Sequence, residues 1–196
     1  MKGKIYTFKE LEVLKSFFDN PEKGFQIREI SRLVNINPIT IREYLNNLVK
    51  KEYLIIKKEG IYPAYYSKIS KKYLNLKLFY NLENIRISGL VEFIEKEFDF
   101  PVIVLFGSYS KAQNSVNSDI DIGIISEINK EPNLKVYEKI LNKRIQLHLM
   151  NKKTINFMKT KNPYLLNNLC NGIALSGELE IIWTILKFHW KIEKQE

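Results

Sequence analysis

Apolar residues return at helical spacing from the start of the chain. Leu11, Leu14, Phe17 and Phe18 predict a helix, with Thr7 as its N-cap and Asn20-Pro21 as its stop. Ile27, Ile30, Leu33 and Val34 predict a second, short helix. Asn35-Ile36-Asn37-Pro38 then reads as a tight turn, with Asn37 as N-cap and Pro38 as first residue of a third helix. Ile41, Leu45 and Leu48 give that helix a buried face, with Tyr44 and Val49 alongside. The run "YLIIKKEGIYPAYYSKI" predicts a strand from Leu54 to Lys57, a loop holding Glu59-Gly60 and Pro63, and a strand from Tyr65 to Ile69.

The pattern then lengthens. Leu74, Leu78, Leu82 and Ile85, followed by Leu90, Val91, Ile94 and Phe98, predict one or two helices broken near Ser88-Gly89, with Tyr73, Phe79, Tyr80 and Phe93 in the core. Val102 to Phe106 is wholly apolar, as a strand buried on both faces is, and Gly107-Ser108 ends it. A second strand begins near Asp119. In "KRIQLHLMN", Ile145, Leu147 and Leu149 alternate with Gln146 and His148, as in a half-buried strand. Phe157 to Leu169 reads as helix in pieces around Pro163. "NGIALSGELEIIW" reads as a turn, a short strand and an edge strand. "TILKFHWKIEKQE" is a short helix or a strand extension, with His189 and Trp190 packing.

Composition narrows the class. With 196 residues, 45% hydrophobic and 12% aromatic, the chain suits one large or two small packed domains. No apolar run approaches the roughly 18 residues that span a bilayer, so no membrane association is expected. The N-terminus has no signal-type apolar segment. A single cysteine, Cys170, excludes an intrachain disulfide and fits a cytoplasmic location. The net charge of +9 is uneven: residues 1–80 carry 16 Lys/Arg against 8 Asp/Glu, and residues 81–196 carry 15 against 14. A basic first part is the footprint of a phosphate-backbone binder, or the lysine-rich surface of an ordinary solvated domain.

The chemistry concentrates in "LFGSYSKAQNSVNSDIDIGII". Asp119 and Asp121 share one face of their strand, while Ile120, Ile122 and Ile124 share the other. Two carboxylates at a sheet edge, opposite a Gly-Ser turn, repel unless a cation lies between them, and Mg²⁺ suits oxygen ligands. Gly107 lets a phosphate approach the backbone, and Ser108 offers a hydroxyl and an N–H.

Three helices followed by a hairpin resemble a winged helix-turn-helix domain. That resemblance would place the helix from Pro38 to about Lys51 in the major groove of double-stranded DNA. Its solvent face offers Ile39, Thr40, Arg42, Glu43, Asn46 and Asn47; Arg and Asn read base edges, while Lys50, Lys57 and Lys58 contact phosphates. Winged helices also serve as protein-binding and dimerisation modules. The run of a hydrophobic strand, Gly-Ser, ten residues and Asp-x-Asp is similar to the signature of the DNA-polymerase-β-like nucleotidyltransferase superfamily, in its minimal form. Together with the later "RIQLHLM" and "NGIALSG", the whole chain resembles archaeal proteins that fuse a winged helix to a minimal nucleotidyltransferase domain.

The resemblance implies an α+β protein: a winged helix-turn-helix domain over 1–70, a helical connector over 71–99, and a nucleotidyltransferase-like mixed sheet with flanking helices over 100–196. It implies that Gly107, Ser108, Lys111 and Ser118 bind a nucleotide, ATP or another NTP. Asp119 and Asp121 would hold Mg²⁺ or Mn²⁺ and act as the catalytic carboxylates in transfer of a nucleoside monophosphate. It further implies a homodimer and a small helical toxin protein in trans, the chain acting as its antitoxin. The chain departs from the family at three places. The third carboxylate falls on Gln146, a weak Mg²⁺ ligand and no base, with His148 nearby as either a replacement base or an ordinary surface or hydrogen-bonded histidine. Tyr109 and Ala112 stand where relatives carry Arg and Gly. The competing expectation is therefore a DNA-binding regulator whose nucleotide site binds without turnover.

Overall fold

The computed structural model describes residues 8–59 and 62–178. The chain divides into two compact units: Met1–Lys77 with Asn114–Val116, and Leu78–Gln113 with Asn117–Glu196.

The described part of the first unit opens with α1 (Phe8–Asp19), α2 (Ile27–Val34), α3 (Pro38–Lys50), β1 (Leu54–Glu59) and β2 (Tyr62–Ser67). Asn37 caps α3 as expected: its Oδ1 accepts from the Ile39 N–H at 2.8 Å, and Pro38 opens the helix. Leu14, Phe17, Phe18, Ile30, Ile41, Leu45 and Leu48 close the core between the three helices. Leu33 departs from the helical stripe and is 60% exposed, because the next residues, Val34 and Asn35, end α2 and turn the chain away. Glu10, almost fully buried on α1, is paired with Lys51 at the end of α3, 2.9 Å away. The expected Thr7 cap lies outside the described residues.

The hairpin differs from the expectation in both strands: β1 runs on from Lys57 through Glu59, which was expected in the loop. β2 begins at Tyr62, so Pro63 lies within it, opposite Lys58, rather than in the loop. A two-stranded ribbon has free outer edges, where a proline costs no ladder bond. β2 also ends at Ser67, and Ile69 is left exposed. Phe25 extends the ribbon by exchanging backbone hydrogen bonds with Tyr65, both at 2.9 Å.

The long helix α4 (Lys71–Ile87) starts in this unit. Tyr73 is buried and its hydroxyl donates to the Phe17 carbonyl at 2.9 Å. Lys77 is 1% exposed; its Nζ donates to the Phe18 carbonyl at 2.7 Å and to the Asn114 carbonyl.

The second unit continues with α5 (Leu90–Glu97), β3 (Val102–Phe106), α6 (Gly107–Ser110), β4 (Ile120–Ile125), α7 (Lys135–Leu141), β5 (Ile145–Met150), α8 (Lys152–Lys161), α9 (Pro163–Cys170) and β6 (Ile173–Ser176). The predicted break before α5 is present, and Gly89 there has φ +78. Among the described residues the sheet runs β5-β4-β3-β6, with β4 parallel to β5 and antiparallel pairing elsewhere.

Strand alternation sorts this sheet into two apolar layers. Ile103, Leu105, Ile120, Ile122, Ile124 and Ile145 pack with Ile85, Leu90, Ile94 and Phe98 of α4 and α5. Val102, Val104, Phe106, Ile125 and Met150 pack on the other face with Ile155, Leu166 and Leu169 of α8 and α9. Full burial of one such side chain is worth about 1.5–3 kcal/mol, so both faces hold β3 and β4 firmly. β4 lies between β3 and β5. The carboxylates therefore sit at the start of an interior strand, not at a sheet edge. Phe79, expected in the core, is 53% exposed because α4 turns Lys77, Asn81 and Ile85 inward instead. Helix α7 was not expected from the sequence; Leu134, Tyr137 and Leu141 pack it on the first layer. The expected second edge strand and the terminal segment with His189 and Trp190 lie outside the described residues. No described helix is long and apolar enough to cross a membrane.

Candidate functional site

β3 delivers the chain to Gly107 in extended conformation, and Gly107 turns it into α6 at φ +69. That φ favours glycine. A second reason is steric: a Cβ at Gly107 would overlap Asp121 Oδ2. Asp121 is paired across β3 with Phe106 and across β5 with Gln146. The turn and the carboxylate are thus brought face to face by register.

Four polar side chains meet at this end of the sheet. Asp119, just before β4, accepts a hydrogen bond through Oδ2 from Gln146 Nε2. His148, two residues further along β5, faces Asp121 with Nε2 3.8 Å from Oδ1. That is beyond hydrogen-bond range, and the buried His148 Nε2 has no hydrogen-bond partner. The imidazole is held edge-on by the Phe106 ring, 5.0 Å between centroids. Burial pushes the Asp121 carboxyl above its ordinary pKa; the His148 charge opposes that rise and the Asp119 charge adds to it. A carboxylate held in this environment gains from a cation.

The remaining predicted residues lie in the segment between β3 and β4. Ser108 is half-buried in the first turn of α6, and its carbonyl accepts from the Gln113 N–H at 2.9 Å. Lys111 is exposed after α6 and its Nζ donates to Asn168 Oδ1 at 3.4 Å. Ser118 is half-buried beside Asp119. Asn168 of α9 was not foreseen; an asparagine inside a helical run carries no signal of its own. Ala112, where the family resemblance led us to expect glycine, holds a left-handed φ of +54.

The donor set fits a hard divalent cation: two carboxylates on one strand face, with the bare Cα of Gly107 against one of them. Among the described residues no cluster of three or more His, Cys, Asp or Glu side chains is arranged to hold a metal.

In the first unit Arg42, Asn46 and Lys50 follow one another at four-residue spacing along α3, all exposed. Thr40 is half-buried. Asn46 Oδ1 accepts from the Tyr65 hydroxyl at 3.2 Å, which leaves its Nδ2 as the outward donor. Burial raises the Tyr65 pKa, with the Arg42 charge opposing. On β1, Lys57 Nζ lies 4.7 Å above the Tyr66 ring and Lys58 is exposed.

Neither the curated proteins nor the solved structures yield a match to the chain. Residues 89–178 match the family model described as "Polymerase beta, Nucleotidyltransferase". That span holds Gly107, Asp119, Asp121, Gln146 and His148, and the match supports placing this segment, from α5 to β6, in the nucleotidyltransferase superfamily.

Proposed function

We propose that the chain is a Mg²⁺-dependent nucleotidyltransferase that moves AMP from ATP to an acceptor hydroxyl, and that its first unit binds DNA. The observation that carries the first part is the cradle in which Gly107, at φ +69, lies directly against Asp121. Asp119 and Asp121 are the residues that would hold Mg²⁺. When bound, that ion neutralises charge on the triphosphate and on the leaving group.

The chain's own groups take the other roles. Ser108 offers its hydroxyl and N–H to the phosphates, and Lys111 adds a positive charge. The acceptor oxygen forms a bond to the α-phosphorus while the bond to the β-phosphate bridge breaks and pyrophosphate leaves. Gln146 cannot take the acceptor's proton. On this reading His148, whose Nε2 lies 3.8 Å from Asp121 Oδ1, takes that proton in its neutral form. The acceptor is a hydroxyl on a nucleic-acid end, a small molecule or a protein; a small helical protein in trans, with this chain as its antitoxin, is the candidate that the family resemblance implies.

The first unit has the element order of a winged helix, and its excess charge supports duplex DNA as the partner. On that reading Asn46 reads an acceptor on a base edge through Nδ2, and Lys50, Lys57 and Lys58 meet phosphates. A homodimer would match a two-fold DNA site.

Calorimetry of ATP binding tests the site. Binding is expected only with Mg²⁺, and Asp119→Asn/Asp121→Asn should abolish it. Wild type that ignores ATP at millimolar concentration sinks the proposal. The Gln146–Asp119 hydrogen bond favours a second reading, a DNA-binding regulator that binds nucleotide without turnover. Transfer of label from ATP by wild type, lost in Asp121→Asn, would dismiss that reading.

A further inference from the structure

We infer that the site takes one divalent cation with the nucleotide rather than two, and that Gln146 sets this number. The inference rests on the reading of Asp119 and Asp121 as a cation–triphosphate site.

Anionic oxygens limit how many cations the site can hold. A two-metal site brings four positive charges within about 4 Å and needs carboxylates shared between the ions. Asp119 and Asp121 supply two negative charges. Gln146 stands directly across β5 from Asp121, where a further carboxylate would be shared, and it is neutral. Its amide also acts on its neighbour. Nε2 donates to Asp119 Oδ2, so one of the four carboxylate oxygens is already engaged. The amide oxygen is a weak ligand by comparison with a carboxylate and adds no negative charge.

His148 does not restore the missing donor. Its Nε2 lies toward Asp121 Oδ1 at 3.8 Å, on the Phe106 side, and a single imidazole adds no negative charge. What is left is Asp121 Oδ2, Asp121 Oδ1 beside His148, and Asp119 Oδ1, a set suited to one hard cation completed by phosphate oxygens and water. Gln146 is thus a positioning residue: it fixes Asp119 and excludes the second ion.

The test is a Mn²⁺ titration of the whole chain followed by electron paramagnetic resonance, with a non-hydrolysable ATP analogue bridged by methylene between the α- and β-phosphates. The expected result is one bound Mn²⁺ per chain in wild type and two in Gln146→Glu. Gln146→Met, which removes the donor without adding charge, should still bind one. Two ions on wild type overturn the inference while leaving the nucleotide site in place. One ion on a folded Gln146→Glu chain, and equally on Gln146→Asp, also overturns it. No Mn²⁺ on wild type with the analogue present overturns the nucleotide-site reading itself. Circular dichroism melts of each variant establish that the chain is folded, and the wild-type count stands without any variant.

Discussion

Gly107 and Ala112 bracket α6 with opposite solutions to one backbone demand. Both have positive φ, +69 and +54, and only one is glycine. Gly107→Ala would place a methyl group onto Asp121 Oδ2 and strain the turn, which costs about 1–2 kcal/mol from the left-handed backbone alone. A lower melting temperature and at least a tenfold loss of Mg²⁺–ATP affinity are expected, read by calorimetry. Unchanged affinity would mean the approach of Gly107 to Asp121 has no part in binding. Ala112→Gly is expected to work the other way and raise stability by up to about 1 kcal/mol in urea unfolding, since it relieves left-handed strain but gives back some chain entropy. Both residues were legible in the sequence at different levels. Gly107 stood out beside Asp-x-Asp, whereas Ala112 showed only as a departure from the family pattern. The contact of Gln146 with Asp119 was not legible, because it depends on the register of β4 against β5.

At the scale of elements, amphipathic spacing located the helices and strands well and their polar interior contacts poorly. α3 and its Asn37 cap, the break at Gly89, and the helices either side of Pro163 all follow from local chemistry. α4 did not follow its leucine stripe. Its buried face carries Tyr73, Lys77 and Asn81, which satisfy carbonyls of Phe17, Phe18 and Tyr109. Such a polar face gives no periodic apolar signal. It does give a pH signal. Burial pushes the Tyr73 hydroxyl up to about 12 from an ordinary 10.0. Ionisation is then easier in the unfolded chain, so stability is unaffected below pH 10 and falls as pH rises from there toward 12, by on the order of 2 kcal/mol. Tyr73→Phe, which loses the hydrogen bond to Phe17, should cost about 1–2 kcal/mol at neutral pH, and the gap from wild type should narrow above pH 10. A gap that stays constant from about pH 8 to about pH 11 would count against this account.

For the whole molecule, charge and chemistry are divided along the sequence. The excess of Lys/Arg lies in residues 1–80, and the carboxylate pair lies in the second unit. Duplex DNA affinity is expected to fall steeply with salt, and Lys57→Ala or Lys58→Ala should each reduce the slope of log affinity against log salt by about one. Affinity that is indifferent to salt would point the first unit toward a protein partner. The two-layered sheet was legible from its apolar runs; the order of its strands was not, since alternation fixes faces and leaves neighbours open. One pairing in that order has a kinetic consequence. β4 and β5 run parallel, so residues 126–144 must cross over before Asp121 and Gln146 can stand side by side. Crossover pairings close long loops and form slowly relative to hairpins. In a refolding experiment the antiparallel β3–β4 pairing, closed by the shorter connection over residues 107–119, and with it the Gly107–Asp121 approach, should be in place before Gln146 arrives. Cation capture would then begin in a half-built site, and the amide that limits it would come last.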